Sequence, residues 1–584
     1  MKIALVSPEF PHSAKVPMVP PILEYLGALT LREAPETALT LHDANQRPLD
    51  PSSLDADLVG VSVWTATAPW AYRFADACRA AGKKVVLGGI HATARPDEAA
   101  RHADAVVTGE AESCWGELLR DAAAGRLRPR YQGEQRPLDG LVRPLDAGLK
   151  GNYQFRAFFT MRGCPYACSF CSVHHFFGRS IRYRPVTEVV DEVAALAGRV
   201  WFNGDDNIWG ADPDRAVQLF DGLADRTPRP WYGFGDLRSV QGAQGERLLK
   251  AARRSGLFSV WAGWESDTPA ALQAFGAVGK QGRHREEAVR RMQGHGLEVV
   301  LFMVLGGRED DFDAYRRTLD LADRLRVGVH PVLLTPLPGT ALWEAYQPHL
   351  LPGLGWDAFT GVRATFHHPD PRMTTAERER QFHEVCREIY RPRRMLRRLA
   401  AIHPSGFPGV HALSLVSQLP MRHALGKART AWLEEHPAAR ASLERTAAAP
   451  VLPASRVASA SRGWARQWAE RLQVHAARGW ATALLGATVA LEAADGLEDA
   501  ALEGSRVAPA TALAATAHLL DHLADGLAGL GWAAAALFLG AWAWRQRRLL
   551  QRPALAWRAT TPLRALLTGT ALAAALAWHL SLGE

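Results

Sequence analysis

The chain has 584 residues, room for three to four domains at roughly 150 residues each and for ample buried core. Its net charge is +8 and its pI is near 9.3. No Lys/Arg block interleaved with aromatics occurs before residue 390, and much of the excess charge is arginine nearer the C-terminus, which argues against a nucleic-acid partner. Six cysteines in so long a chain, behind an N-terminus that does not read as a secretory leader, exclude a disulfide framework and fit a reducing cytosol.

KIALVSP (2–8) is an apolar run that reads as a buried parallel strand with its exit turn. PPILEYLGALTLRE follows as a helix opened by proline, with Leu23, Tyr25, Leu26 and Leu29 as its apolar positions. TALTLHDA is a second strand and DLVGVSVWT (57–65) a third. APWAYRFADACRAAG is a helix closed by Gly82, before KKVVLGGIHA (83–92) and ADAVVTGEAE (103–112) as strands four and five. Strands alternating with helices predict a Rossmann-like, doubly wound parallel sheet over residues 1–130. Such sheets bind ligands beyond the carboxyl ends of their strands. Those ends carry Ser7, Ser62, Thr65, Gly88, Gly89, His91, Gly109 and Glu110, and two adjacent glycines let a bulky ligand approach the backbone. The pattern resembles cobalamin-binding domains: Ser62-Val63-Trp64 stands at the S-x-L element and Gly88-Gly89 at the GG element. The resemblance implies that these eight strand-end residues line a cobalamin site. The D-x-H-x-x-G loop is absent: His12 is near its place, but Phe10 and Lys15 replace the Asp and Gly. The resemblance therefore implies cobalt without a histidine from that loop. A flavodoxin-like domain without cobalamin is the alternative.

Cys164, Cys168 and Cys171 sit in MRGCPYACSFC, a C-x3-C-x2-C run behind the strand FRAFFTM. Three thiolates are one fewer than a closed zinc or iron–sulfur site takes, so one metal position stays open. Half of a zinc site is the alternative, but no second C-x2-C or H-x3-H pair completes it, and Cys78, Cys114 and Cys386 are scattered. The motif and its flanks resemble the radical S-adenosylmethionine (SAM) family. The resemblance implies a [4Fe-4S] cluster on the three cysteines, SAM chelated at the open iron, and reductive cleavage of SAM to a 5′-deoxyadenosyl radical. Phe170 then packs on the cluster and reaches the adenine. VVLGGIHAT and ADAVVTGEAE are typical of the cobalamin-dependent class of that family.

RPVTEVVDEVAALA is a helix with Thr187 as its expected cap. Then come RVWFNGDDN (199–207), RPWYGFGDLRS (229–239), LFSVWAGWES (257–266), LEVVLFMVLGG (297–307) and VHPVLLTPLPGT (329–340), most of them separated by helical segments. With the cysteine strand these make six units, and they match a partial (βα)6 barrel over residues 150–375. Barrel active sites lie at the strand C-termini. There the resemblance implies a SAM site of Gly204, Asp205 and Asp206 at the methionyl amine, Arg238 at the carboxylate and Glu265 at the ribose. Gly306 and Thr335, at the ends of the last two strands, complete the set.

Residues 376–445 read as a helical extension, 446–463 as an Ala/Pro/Ser linker and 464–584 as a hydrophobic all-α region. Residues 526–544 and 565–582 lack Asp, Glu, Lys and Arg, and each is close to the roughly 20 residues that cross a bilayer. The tail points to a cytoplasmic enzyme attached to the inner membrane. A soluble alanine-rich helical bundle is the alternative. The resemblance implies a C-methyltransferase acting on an unactivated carbon of a small molecule, lipid-like or a natural product. One SAM would supply the methyl group through cobalamin and another the radical, with a flavodoxin- or ferredoxin-type electron donor. A radical SAM cyclase and a non-catalytic, membrane-tethered cobalamin or redox sensor are the rival readings.

Overall fold

The computed structural model describes residues 1–11, 18–145, 149, 153, 155–196, 198, 200–277, 282, 284–403 and 410–437. His12, the linker and the hydrophobic C-terminal region lie outside the described residues. Two six-stranded parallel sheets organise the chain, both within one compact unit, Met1–His436.

The first sheet contains β1 (Lys2–Ser7), β2 (Ala38–Asp43), β3 (Leu58–Ser62), β4 (Lys84–Gly88), β5 (Ala105–Thr108) and β6 (Arg130–Gln132), in the order β2-β1-β3-β4-β5-β6. β1, β3 and β4 are apolar runs because helices cover both faces of the sheet. One core holds Ala4, Val6, Val59 and Val61 under the helix Ala68–Ala80, and the other holds Ile3, Leu5, Leu23 and Trp115. β6 was not anticipated: it is a three-residue edge strand with only Tyr131 buried, too short to show a period. β4 also ends earlier than its apolar run suggests. Gly89, at φ +95°, turns the chain out of the sheet and into the short helix Ile90–Ala94.

The second sheet contains β7 (Phe155–Phe158), β10 (Val200–Asn203), β11 (Trp231–Phe234), β12 (Leu257–Glu265), β13 (Glu298–Leu305) and β14 (Gly328–Leu333) in sequential order. Between β7 and β10 the chain forms a short antiparallel ladder of β8 (Met161–Arg162) and β9 (Arg182–Tyr183). Helices Val186–Ala195, Pro213–Arg226, Gly242–Arg254, His284–Gly294 and Ala314–Leu325 follow successive strands and bury their apolar stripes on the outer face. Asp212 caps the second of these, its carboxylate accepting from the Asp214 and Arg215 N–H groups at 3.0 Å each. The helix Thr375–Ile389 adds Phe382, Val385 and Ile389 to the same core. Among the described residues no helix is long and apolar enough to cross a membrane.

Candidate functional site

The cysteine loop lies between β8 and β9, and its backbone is pinned. Gly163 has φ +97°, and a Cβ there would collide with the Ser180 carbonyl, so glycine is required. The Cys164 N–H donates to Gly178 O at 3.4 Å and the Cys171 N–H to Cys168 O at 3.0 Å. Ser169 anchors the loop to the barrel: its N–H donates to Phe275 O at 2.9 Å, and its carbonyl accepts from the Leu342 N–H at 2.8 Å. Phe170 stands edge-on to Phe275, with ring centroids 5.4 Å apart.

Cys168 is buried, while Cys164 and Cys171 are half-buried. Burial pushes the Cys171 thiol up to about 12, and negative charge at Asp206, Cys168 and Cys164 acts in the same direction. Among the described residues no three His, Cys, Asp or Glu side chains converge on a single metal ion. The donor set, three soft ligands on a pinned loop, fits a cubane with one iron left open.

The barrel strand ends surround this loop. Asp205 is buried and its carboxylate braces β10 to the β7 end. Oδ1 accepts from the Thr160 and Met161 N–H groups at 2.7 and 3.1 Å, and Oδ2 from Thr160 Oγ1 at 2.6 Å and Asn203 Nδ2 at 3.2 Å. Those bonds commit Asp205 to holding the site's shape. Asp206 beside it is exposed, yet surrounding protein and the Asp205 charge push its carboxyl up to about 7. Gly204 leaves room for the Phe159 ring. The Arg238 guanidinium lies 4.5 Å over the ring of Tyr166, inside the cysteine loop, and the Arg238 backbone N–H donates to the Asp236 carboxylate at 2.7 Å. The Gly306 N–H donates to Asp310 at 2.8 Å, and the Thr335 hydroxyl donates to Leu333 O at 3.0 Å.

Glu265 is held differently. It has φ +65°, and the Ser266 N–H donates to Trp264 O at 2.9 Å, closing a three-residue turn around it. Such a turn costs on the order of 1–3 kcal/mol and persists only where its surroundings enforce it. Arg285 enforces it: the buried guanidinium stacks 3.5 Å over Trp264 and donates to Trp264 O at 3.1 Å and Ser266 O at 3.3 Å. Arg285→Lys removes this planar fork. We expect SAM affinity to fall about tenfold with iron content unchanged, as read by equilibrium dialysis of labelled SAM.

In the first sheet the order reverses between β1 and β3, which opens a crevice at their carboxyl ends. Ser7 and Ser62 end those strands. Trp64, 55 % exposed, stands just beyond, with Phe10 beside it at 6.2 Å. Gly89 approaches so closely that a Cβ would lie 2.9 Å from both Val63 N and O. Thr93 ties two loops together, donating to Gly89 O at 2.9 Å and accepting from the Gly109 N–H at 3.0 Å. An exposed indole over a glycine-lined crevice fits a large flat ligand such as a corrin.

His91 faces the other way. It is wholly buried, 3.3 Å from Thr65 Oγ1 and 3.7 Å from Glu98, edge-on to Trp356. Burial lowers its pKa to about 4, so it is neutral at pH 7 and braces the loop from behind. Glu110 is also committed inside the protein. It accepts from Arg162 at 2.6 Å and from Arg182, and Arg162 continues to Glu112. Thus the end of β5 is bonded to both arms of the hairpin that carries the cysteines. Arg162, Arg182, Glu112, Arg285 and Trp356 were not foreseen. Their partners are distant in sequence, and nothing local marks them. Trp64 was visible only as the last residue of the S-x-L match.

Residues 45–119 match the B12 binding domain family. The chain is 29 % identical over 360 residues to bacteriochlorophyllide d C-12(1)-methyltransferase of Chlorobaculum tepidum, covering 59 % of this chain and 76 % of the relative. It is 25 % identical over 410 residues to the C-8(2)-methyltransferase of the same organism, covering 65 % and 90 %. Among solved structures, the radical SAM methyltransferase TsrM of Kitasatospora setae superimposes with TM-score 0.51 at 17 % identity, over 74 % of this chain and 99 % of that one. The cobalamin-dependent SAM radical enzyme OxsB does so with TM-score 0.55 at 13 % identity, over 76 % and 80 %. The fold is therefore a B12-binding α/β domain followed by a radical SAM-type partial barrel. The chain is thus similar in fold to cobalamin-dependent radical SAM enzymes and in sequence to proteins named as methyltransferases.

Proposed function

We propose that this enzyme is a C-methyltransferase that acts on an unactivated carbon of a small molecule. The observation that carries the reading is the bonded contact of Glu110, at the cobalamin-crevice edge, with Arg162 and Arg182 beside the cysteines. A methyl carrier is useful only where it faces the place a substrate radical forms. The related bacteriochlorophyllide methyltransferases point to the same chemistry.

When bound, the cofactors supply an electron, an adenosyl radical and a transferable methyl group, while the protein binds, orients and excludes water. Cys164, Cys168 and Cys171 hold the cluster. Asp206 would face the ammonium of bound SAM, Arg238 would pair with its carboxylate, and Glu265 would accept from its ribose hydroxyls. Gly204, Gly306 and Thr335 shape the same pocket, and Phe170 borders the adenine. Ser7, Ser62, Thr65, Gly88, Gly89 and Gly109 form the cobalamin crevice. A flavodoxin- or ferredoxin-type protein delivers the electron.

Anaerobic turnover with methyl-labelled SAM in a cell extract tests the reading. Methyl transfer yields 5′-deoxyadenosine and S-adenosylhomocysteine together with a labelled product. A radical cyclase yields 5′-deoxyadenosine alone, a sensor yields neither, and either result overturns the proposal. The electron paramagnetic resonance spectrum of the cob(II)alamin form is expected to lack nitrogen splitting from an axial histidine, since His91 is buried behind the loop.

For residues 464–584 we propose membrane attachment, on the two stretches at 526–544 and 565–582 and the tryptophans near their ends. Truncation after residue 445 is expected to release the enzyme from carbonate-washed membranes with SAM cleavage intact. Full-length protein found only in the soluble fraction would refute the attachment.

A further inference from the structure

The inner face of the barrel sheet carries a set of rings that none of the roles above uses. Side chains alternate across a strand, so Trp201 and Trp231 point outward and are buried under helices at 1 % exposure each. Phe202, Tyr232, Phe234, Trp261, Phe302 and His330 lie on the opposite face, and all six are only half-buried. The protein therefore leaves the space in front of them open, where a closed barrel would fill it with branched side chains.

These rings are continuous. Phe202 lies 5.1 Å from Tyr232, Tyr232 5.0 Å from Trp261, Trp261 5.7 Å from Phe234 and 5.8 Å from Phe302, and Phe302 4.7 Å from His330. They come from β10 to β14, five neighbouring strands, which at about 4.8 Å per strand span roughly 20 Å. The set contains no charged side chain. Its polar atoms are the Tyr232 hydroxyl and the His330 ring nitrogens, and His330 Nδ1 is buried with no hydrogen-bond partner. Burial lowers the His330 pKa to about 4, so the ring is neutral and can donate or accept one hydrogen bond.

We propose that this wall is the substrate site and that it takes a flat, multi-ring hydrophobic molecule with a polar substituent facing His330. The inference rests on the radical SAM reading above and names its substrate class. Ring faces and edges match an extended apolar ring system. A peptide would bring backbone amides and a nucleotide would bring phosphates, and this wall has almost nothing to satisfy either.

The test uses equilibrium dialysis of the full-length protein against three probes: protoporphyrin IX, a pentacyclic triterpenoid alcohol and L-tryptophan. At least one polycyclic probe is expected to bind well ahead of L-tryptophan. The binding should weaken about tenfold or more in Trp261→Ala, and also in the milder Phe302→Leu, with the thermal melt of the latter unchanged. Preference for the porphyrin assigns a conjugated macrocycle, and preference for the triterpenoid a saturated polycycle. The proposal is overturned if neither polycycle binds better than L-tryptophan, or if both variants bind like the parent. Formation of 5′-deoxyadenosine without substrate is measured in parallel. Its absence alongside wall-dependent binding would refute the radical reading and leave the wall standing, and the converse would do the opposite.

Discussion

Replacing Cys164, Cys168 or Cys171 with alanine is expected to abolish both the brown cluster chromophore and all reductive cleavage of SAM. The expectation follows from the donor count. A cubane on three thiolates already lacks one protein ligand, and two will not retain it. The Cys171 thiol, pushed up to about 12 by burial and by its acidic neighbours, would stay protonated at neutral pH without a cation beside it. Iron must therefore drive its deprotonation, and losing either other cysteine weakens the cluster that does so. The fold should survive, because the loop is held by backbone bonds from Cys164, Ser169 and Cys171 that do not depend on sulfur. Iron analysis and chromatography of 5′-deoxyadenosine check the result. A variant with full iron content and continued SAM cleavage would overturn the cluster assignment.

Glu110→Ala should have the next largest effect, and it should be of a different kind. Glu110 is 4 % exposed and accepts from two arginines, Arg162 and Arg182, whose side chains are 20 % and 15 % exposed. Removing the shared carboxylate leaves Arg182 without its ion-pair partner and Arg162 with Glu112 alone. Breaking such a pair costs about 3 kcal/mol, the lower end of the range for buried ion pairs because both arginines keep some contact with water. A lowered melting temperature is the first readout. The second is coupling: the hairpin that carries the cysteines loses its tie to the cobalamin edge, so 5′-deoxyadenosine should accumulate without a matching amount of methylated product. Glu110→Gln keeps the shape and should uncouple with less loss of stability. Unchanged product ratios in both variants would reduce Glu110 to a purely structural role.

The parts of this architecture that were legible in the sequence are those encoded locally. β1, β3 and β4 are apolar on both faces and announce a parallel sheet, and the Cys164–Cys171 run marks the loop that the structure pins between β8 and β9. The turn at Gly89 was not legible as a strand end, because Ile90, His91 and Ala92 continue the apolar run while the glycine's positive φ takes the chain elsewhere. Asp205 reads as a strand-end acid available to a ligand, but four hydrogen bonds to residues up to 45 positions away consume it. Glu110 meets partners 52 and 72 residues downstream, a pairing of charges that no periodicity records. Phe202, Tyr232, Trp261 and Phe302 look like core formers in a linear reading. Only the strand registers place them together on one open face.

Trp356 lies after the last barrel strand, yet it packs against the core of the first sheet, edge-on to His91, with its indole N–H donating to Glu98 at 2.6 Å. The cobalamin module thus borrows a core residue from beyond its partner barrel, and the unit that folds is not the stretch that homology delimits. Grafting residues 1–145 onto another catalytic barrel would strip Glu98 of its indole donor and uncover apolar surface beside the glycine turn. In this enzyme the cofactor carrier is not a portable part. Exchanging carriers between relatives would require moving the segment around Trp356 with them.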